Sequence, residues 1–151
     1  MDINTARHII ETVAIRVLDR GRLVQIGSPR QIYESPRNTY VATRLGSPGI
    51  NLLPRSLLPA LRVPAGTATV GARTEHLRVR PAVNGSAIGK VRWIEHLGDA
   101  DHLHLRVGPP GAEADVVSLS APGTALAVGD AVDVDFVAPL FFDAGGQRIG
   151  T

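Results

Sequence analysis

The sequence predicts a mainly β protein, a small barrel or sandwich preceded by a β-hairpin and two short helices. Three observations lead there. After Pro54 the chain is a series of short apolar or alternating runs, the pattern of strands with one or both faces buried. The breaks between them recur often: Asn84-Gly85, Gly98-Asp99, Gly108-Pro109-Pro110-Gly111, Pro122-Gly123 and Gly145-Gly146. No helix fits between the runs, which argues against a parallel α/β sheet and for a small antiparallel barrel or sandwich.

In chain order, Val13 to Leu18 reads as a strand, Asp19-Arg20-Gly21 as a hairpin turn and Leu23 to Ile26 as the returning strand. Ser28 is placed to cap a short helix with Pro29 at its first position, where a missing N–H costs nothing. Ser35-Pro36 ends that helix, because the residue before proline avoids helical dihedrals. Asn38 suits the cap of a second helix, in which Tyr40, Val41, Arg44 and Leu45 recur at helical spacing before Gly46 closes it. Gly46-Ser47-Pro48-Gly49 marks a boundary and divides the chain into segments 1–46 and 47–151. Beyond it, strands are expected at Ala68 to Val70, Leu77 to Val79, Val91 to Ile94, His102 to Val107, Val116 to Leu119 and Ala131 to Val137.

The 151 residues suffice to bury a core, and 44% apolar with 20% charged residues excludes an intrinsically disordered composition. A net charge of +2 is too small to point to nucleic acid. Its distribution is uneven: basic residues predominate up to position 110, whereas residues 111–151 carry one Arg against six acids. Such a bipolar surface can steer a partner. The absence of Cys rules out disulfides and thiolate metal sites and fits a reducing compartment. No apolar run reaches membrane-spanning length and the start lacks the profile of a signal peptide, so a cytoplasmic location is expected.

Catalytic motifs are missing. No G-x-x-x-x-G-K-[ST] loop is present, and the sole lysine, Lys90, is followed by Val91, so the chain should neither bind nor hydrolyse ATP. No serine sits in a G-x-S-x-G elbow. His102 and His104 would share one face of a strand and could meet Asp101 or Glu95, but a His-Leu-His-Leu run equally describes a strand with one solvated face, and no metal or other cofactor is expected. Trp93 is expected in a core or an interface. Six aromatics are too few for the stacking platform of a single-strand nucleic-acid binder.

The stretch Gly21-Arg22-Leu23-Val24-Gln25-Ile26-Gly27-Ser28-Pro29-Arg30-Gln31-Ile32-Tyr33-Glu34-Ser35-Pro36 resembles the end of the nucleotide-binding domain of ABC importer ATPases. Asn38-Thr39-Tyr40-Val41-Ala42, Leu45-Gly46-Ser47-Pro48 and Asn51-Leu52-Leu53-Pro54 resemble the passage by which the maltose, polyol and glycerol-phosphate types enter their regulatory domain. Val70-Gly71-Ala72-Arg73-Thr74-Glu75-His76-Leu77 is similar to the family's G-x-R-P-E-H-L segment, with Thr74 where proline is usual. Trp93 to Gly98 and Leu140 to Ile149 resemble its V-E-x-L-G and L-F-D-x-x-T-G-x-x-I segments. The stretch from Pro54 to Val70 is shorter than the resemblance implies.

The resemblance implies a TOBE domain, a transport-associated OB-like barrel, over 47–151, preceded by the end of an ATPase domain over 1–46. It also implies a non-catalytic regulatory and dimerisation role at the cytoplasmic face of the inner membrane, beside an ATPase domain and membrane permease subunits. Ile9, Ile10, Val13 and Ile15, left partly uncovered, would favour a homodimer. Gly89, Glu95, Gly129 and Phe142 lie at or beside the family-like segments and are the expected partner contacts. An alternative is a small oxyanion or ligand site of the molybdate-transport kind, with Arg73, Arg78 and Arg92 as donors.

Overall fold

The computed structural model describes residues 14–150. Strands β1 (Ile15–Asp19) and β2 (Arg22–Gly27) form the expected hairpin, with Asp19 opposite Arg22. The two turn residues, Arg20 and Gly21, have φ of 52° and 76°. Positive φ at both central residues gives the backbone twist that matches a tight hairpin. Helix α1 (Pro29–Glu34) starts from a complete capping box: the Ser28 hydroxyl accepts from Gln31 N–H, and the Gln31 side chain accepts from Ser28 N–H. Asn38 likewise caps α2 (Thr39–Ala42) by accepting from Val41 N–H.

Helix α2 is shorter than its periodicity suggests. The Thr43 hydroxyl donates to the Tyr40 carbonyl at 2.7 Å and Thr43 caps the helix, leaving Arg44 to stack over the Tyr40 ring at 4.1 Å. A threonine that bonds back into the preceding turn competes with helix continuation. Gly46, at φ +105°, then redirects the chain.

The remaining strands are β3 (Asn51–Pro54), β4 (Thr69–Ala72), β5 (Leu77–Pro81), β6 (Gly89–His96), β7 (Asp101–Val107), β8 (Ala114–Ser120), β9 (Ala131–Phe136) and β10 (Leu140–Phe142). All pairings are antiparallel, in a three-stranded sheet of order β10-β4-β3 and a five-stranded sheet of order β5-β9-β6-β7-β8. The fold is mainly β, as expected. Strands β3 and β10 are additions to the sequence reading, and the runs read from sequence extend by one or two residues at most of their ends.

One core cluster lies between the two sheets, with Leu53, Val70, Leu77, Val91, Leu103, Leu105, Val116 and Val132 among its buried members. The short stretch after Pro54 takes part, since Leu57, Leu58, Leu61 and Val63 pack against it. Strand β7 alternates strictly, burying Asp101, Leu103, Leu105 and Val107 and turning His102, His104 and Arg106 outward. Edge strand β8 is tied to the other sheet by side chains. Asn51 accepts from Val117 N–H at 2.8 Å and donates to the Val117 and Ala72 carbonyls at 2.8 and 3.0 Å, while the Ser118 hydroxyl donates to Leu77 O of β5, the opposite edge of its own sheet.

Two smaller clusters hold the N-terminal segment. Val17, Ile32 and Val41 pack between hairpin and helices; Ala42, Leu140 and Phe142 join α2 to β10 across the Gly46–Gly49 boundary. Of the apolar residues expected to be uncovered, Ile15 is partly buried against the first of these clusters, and Ile9, Ile10 and Val13 lie outside the described residues. The hairpin instead exposes Leu18, Leu23 and Ile26, each about half accessible. Trp93 is also outside the core, 61% exposed. A bulge between Val91 and Trp93 inserts Arg92 into β6, so that Val91 and Ile94 face inward and Trp93 outward. Among the described residues no helix is long and apolar enough to cross a membrane.

Candidate interaction site

Arg73, between β4 and the 3-10 turn Thr74–His76, is 3% exposed. Its guanidinium donates to the Ala42 and Leu45 carbonyls at 2.9 Å each and to the Tyr33 carbonyl at 2.8 Å, and it stacks 4.0 Å from the centre of the Tyr33 ring. The Tyr33 hydroxyl in turn donates to Glu75. One side chain of the barrel thus grips both N-terminal helices at their C-terminal ends, where carbonyls lack intrahelical donors. Burial and the bond to Glu75 push the Tyr33 pKa up to about 12. Burial opposes charge on Glu75, but hydrogen bonds from Tyr33, its own N–H and Thr74 outweigh it and hold the carboxyl below its usual range.

Those contacts overturn the anion role read for Arg73, whose two terminal nitrogens are spent on carbonyls inside the fold and whose Nε is buried, out of reach of a ligand in solvent. Arg78 is exposed on β5 opposite Asp135, and Arg92 faces Asp115 at 3.7 Å. The three guanidinium groups have separate partners and form no common anion site. Phe142 is corrected too: it is fully buried, so its side chain anchors α2 to the barrel and presents nothing to a partner.

Gly89 opens β6 and Gly129 lies in the turn before β9; the structure brings both to one cleft of about 520 Å³ on the outer side of the barrel. A side chain at Gly89 would place its Cβ 2.6 Å from the Arg106 carbonyl, so the close approach of β6 and β7 requires glycine. Gly129 has φ of +93° with open space around it, and its N–H bonds the Val91 carbonyl at 2.7 Å. Lys90, Arg92 and Arg106 give the cleft three cationic groups against the one carboxylate of Glu113, and Ile88, Val91 and Val128 give it apolar walls. The pairing of Lys90 with Arg106 is not readable from the sequence, because nothing local shows that they are cross-strand partners.

Glu95 lies further along the outer face of β6, its Oε2 3.6 Å from His102 Nδ1 and 3.4 Å from His104 Nε2. Asp101 belongs elsewhere. It is buried, takes His96 Nδ1 at 2.8 Å and accepts from Gly123 and Thr124 N–H, and these bonds hold its carboxyl below the usual range against the effect of burial. Among the described residues no three His, Asp or Glu side chains are arranged to hold a metal ion.

The barrel thus carries a cleft with cationic walls on its outer face, and Arg73 grips the two appended helices from inside. Comparison with known proteins gives the class: residues 70–139 match the TOBE domain family. Over 117 residues the chain is 38% identical to an sn-glycerol-3-phosphate import ATP-binding protein of Rhizobium johnstonii, a match covering 71% of this chain and 32% of that protein. Proteins described in the same words from Ruegeria pomeroyi and Agrobacterium fabrum are 34% and 32% identical over 130 and 151 residues, covering 78% and 88% of this chain and 36% and 42% of theirs. Residues 70–139 are therefore a TOBE domain, and the chain is similar over most of its length to the C-terminal region of ABC importer ATP-binding proteins. It spans about a third to two fifths of the length of these relatives.

Proposed function

We propose that this chain acts as the regulatory and dimerisation region of the ATP-binding subunit of a carbohydrate-type importer, of the kind whose relatives are described as importing sn-glycerol-3-phosphate, at the cytoplasmic face of the membrane. In this reading residues 1–46 are the C-terminal end of an ATPase domain and 47–151 the regulatory domain. The sequence carries no phosphate-loop motif, so ATP binding and hydrolysis belong to another part of the assembly, beside the permease subunits.

The observation that carries the reading is the grip of Arg73 on the Tyr33, Ala42 and Leu45 carbonyls. Through it, any displacement of the hairpin and helices relative to an ATPase core is transmitted to the barrel. Leu18 and Leu23, opposite one another and exposed on the hairpin, supply an apolar surface that a second body would cover. Gly89, Glu95 and Gly129 mark the regulatory contacts on the outer face.

Sedimentation velocity of the isolated chain tests the association. A dimer is expected at micromolar concentration, weakened by Leu18→Glu or Leu23→Glu; a monomer at high micromolar concentration refutes it. ATP turnover above a buffer blank would refute the assignment of catalysis to another part.

A further inference from the structure

Strand β6 is covered on its β9 side for only part of its length. Gly89 and Lys90 pair with Val132 and Ala131, and the Gly129–Asp130 turn closes on Val91 through bonds of 2.7 and 2.9 Å. Arg92 is the bulged residue, from Trp93 to His96 the strand pairs with β7 alone, and among the described residues no other backbone group bonds to residues 92–96. A half-open strand of this kind is a template for an added strand.

The side chains around the open edge select what can lie there. Lys90 and Arg106 are directly opposite one another on β6 and β7, a like-charge pair that weakens the sheet unless an anion offsets it. Arg106 has Glu113 and Asp115 at 3.5 Å, whereas Lys90 has no carboxylate within 4.0 Å among the described residues. The bulge turns Arg92 toward the same cleft, with Asp115, itself mostly exposed, at 3.7 Å. On either side of these cations stand Trp93 and Val128, 61% and 64% exposed.

We propose that the open edge of β6 from Arg92 to His96, together with the cleft formed by Lys90, Arg92 and Arg106, receives an extended acidic segment of another protein as an added strand. Main-chain bonds to the edge would supply much of the affinity. Acidic side chains opposite Lys90 and Arg92 would set the charge preference, and an apolar side chain would cover Trp93. The inference deepens the reading of this face as a regulatory contact surface and is independent of how the chain dimerises.

Trp93 is the sole tryptophan, so its emission reports directly on the edge. The probe is a capped peptide of about nine residues alternating Glu and Val, a strand's length, compared with its Lys-for-Glu counterpart and with a proline-substituted version that cannot pair. The proposal expects a saturable shift of Trp93 emission with the acidic peptide alone, and slowed hydrogen exchange of the amides of residues 92–96. Lys90→Glu and Arg92→Glu should each weaken binding about tenfold at low salt with unchanged Tm. No response at about 1 mM peptide, the weak end of specific association, overturns it. So does equal binding of the lysine peptide, or protection of the same amides that grows with protein concentration alone, which would mean that a second copy covers the edge. A monomer that binds the acidic peptide would sink the dimer and leave this inference standing; a dimer indifferent to the peptide would do the reverse.

Discussion

Replacing Arg73 by alanine removes the one side chain that donates to three carbonyls of the N-terminal segment, at 2.8 to 2.9 Å. Each such bond contributes about 1 kcal/mol net, more when the donor is charged, and the stacking on Tyr33 adds about 0.5–1 kcal/mol. Against this, the variant no longer has to bury a guanidinium, so the expected loss is about 3 kcal/mol, within the range for breaking a buried polar network. For a chain of this size that corresponds to a fall in Tm of roughly 6–12 °C. The damage should be local as well as global, because the bonds lie at the junction. Limited trypsin digestion should cut first after Arg37 or Arg44 in the variant, before the barrel is attacked. Arg73→Lys keeps the charge but cannot reach three carbonyls or stack as a plane, so it should rescue only part of the loss. An Arg73→Ala chain within about 0.5 kcal/mol of the parent, with an unchanged digestion pattern, would refute the grip as the connection between segment and barrel.

Asn51→Ala removes the side chain that ties β8 to β3 and leaves Val117 N–H unpaired; a loss of about 2 kcal/mol and faster hydrogen exchange at Val117 are expected in urea titration and exchange mass spectrometry. Gly89→Ala should cost about 1–3 kcal/mol through its clash with the Arg106 carbonyl. Gly129→Ala meets open space and should cost only the backbone strain of about 1 kcal/mol, so the two glycines separate in a thermal melt. Glu75 has a folded pKa below its unfolded value, so its contribution is present above the unfolded pKa and is lost as pH falls through the folded one; Glu75→Gln should flatten the acid limb of stability against pH. Tyr33, raised to about 12, contributes below the unfolded value of 10.0 and loses that contribution as pH climbs toward 12, so Tyr33→Phe should flatten the alkaline limb.

Much of the local architecture was legible in the residues. Ser28 with Pro29, Asn38, and Arg20-Gly21 act through their immediate neighbours, by capping or by accepting positive φ, and the structure places each where its chemistry suggests. The strands with clear alternation were visible for the same reason. Strands β3 and β10 were not read as strands, since four residues ending in Pro54 and three centred on Phe141 carry too short a pattern, and their pairing to β4 supplies what periodicity lacks. The second helix was overread because Tyr40, Val41, Arg44 and Leu45 keep helical spacing while Thr43 diverts the backbone. Arg73 looked like an anion donor because a sequence does not show which carbonyls surround it.

By itself the sequence determined most of the element types, the caps and turns, the likeness to TOBE-domain proteins, and the lack of a phosphate-loop motif, all of which depend on residues close together in the chain. Tertiary structure alone decided that Arg73 and Phe142 face inward, that Trp93 faces outward, that Lys90 meets Arg106 across two strands, and that β6 keeps an open edge. These depend on strand register and on a one-residue bulge. A shift of one residue exchanges the two faces of a strand, and register is set only when the whole core packs.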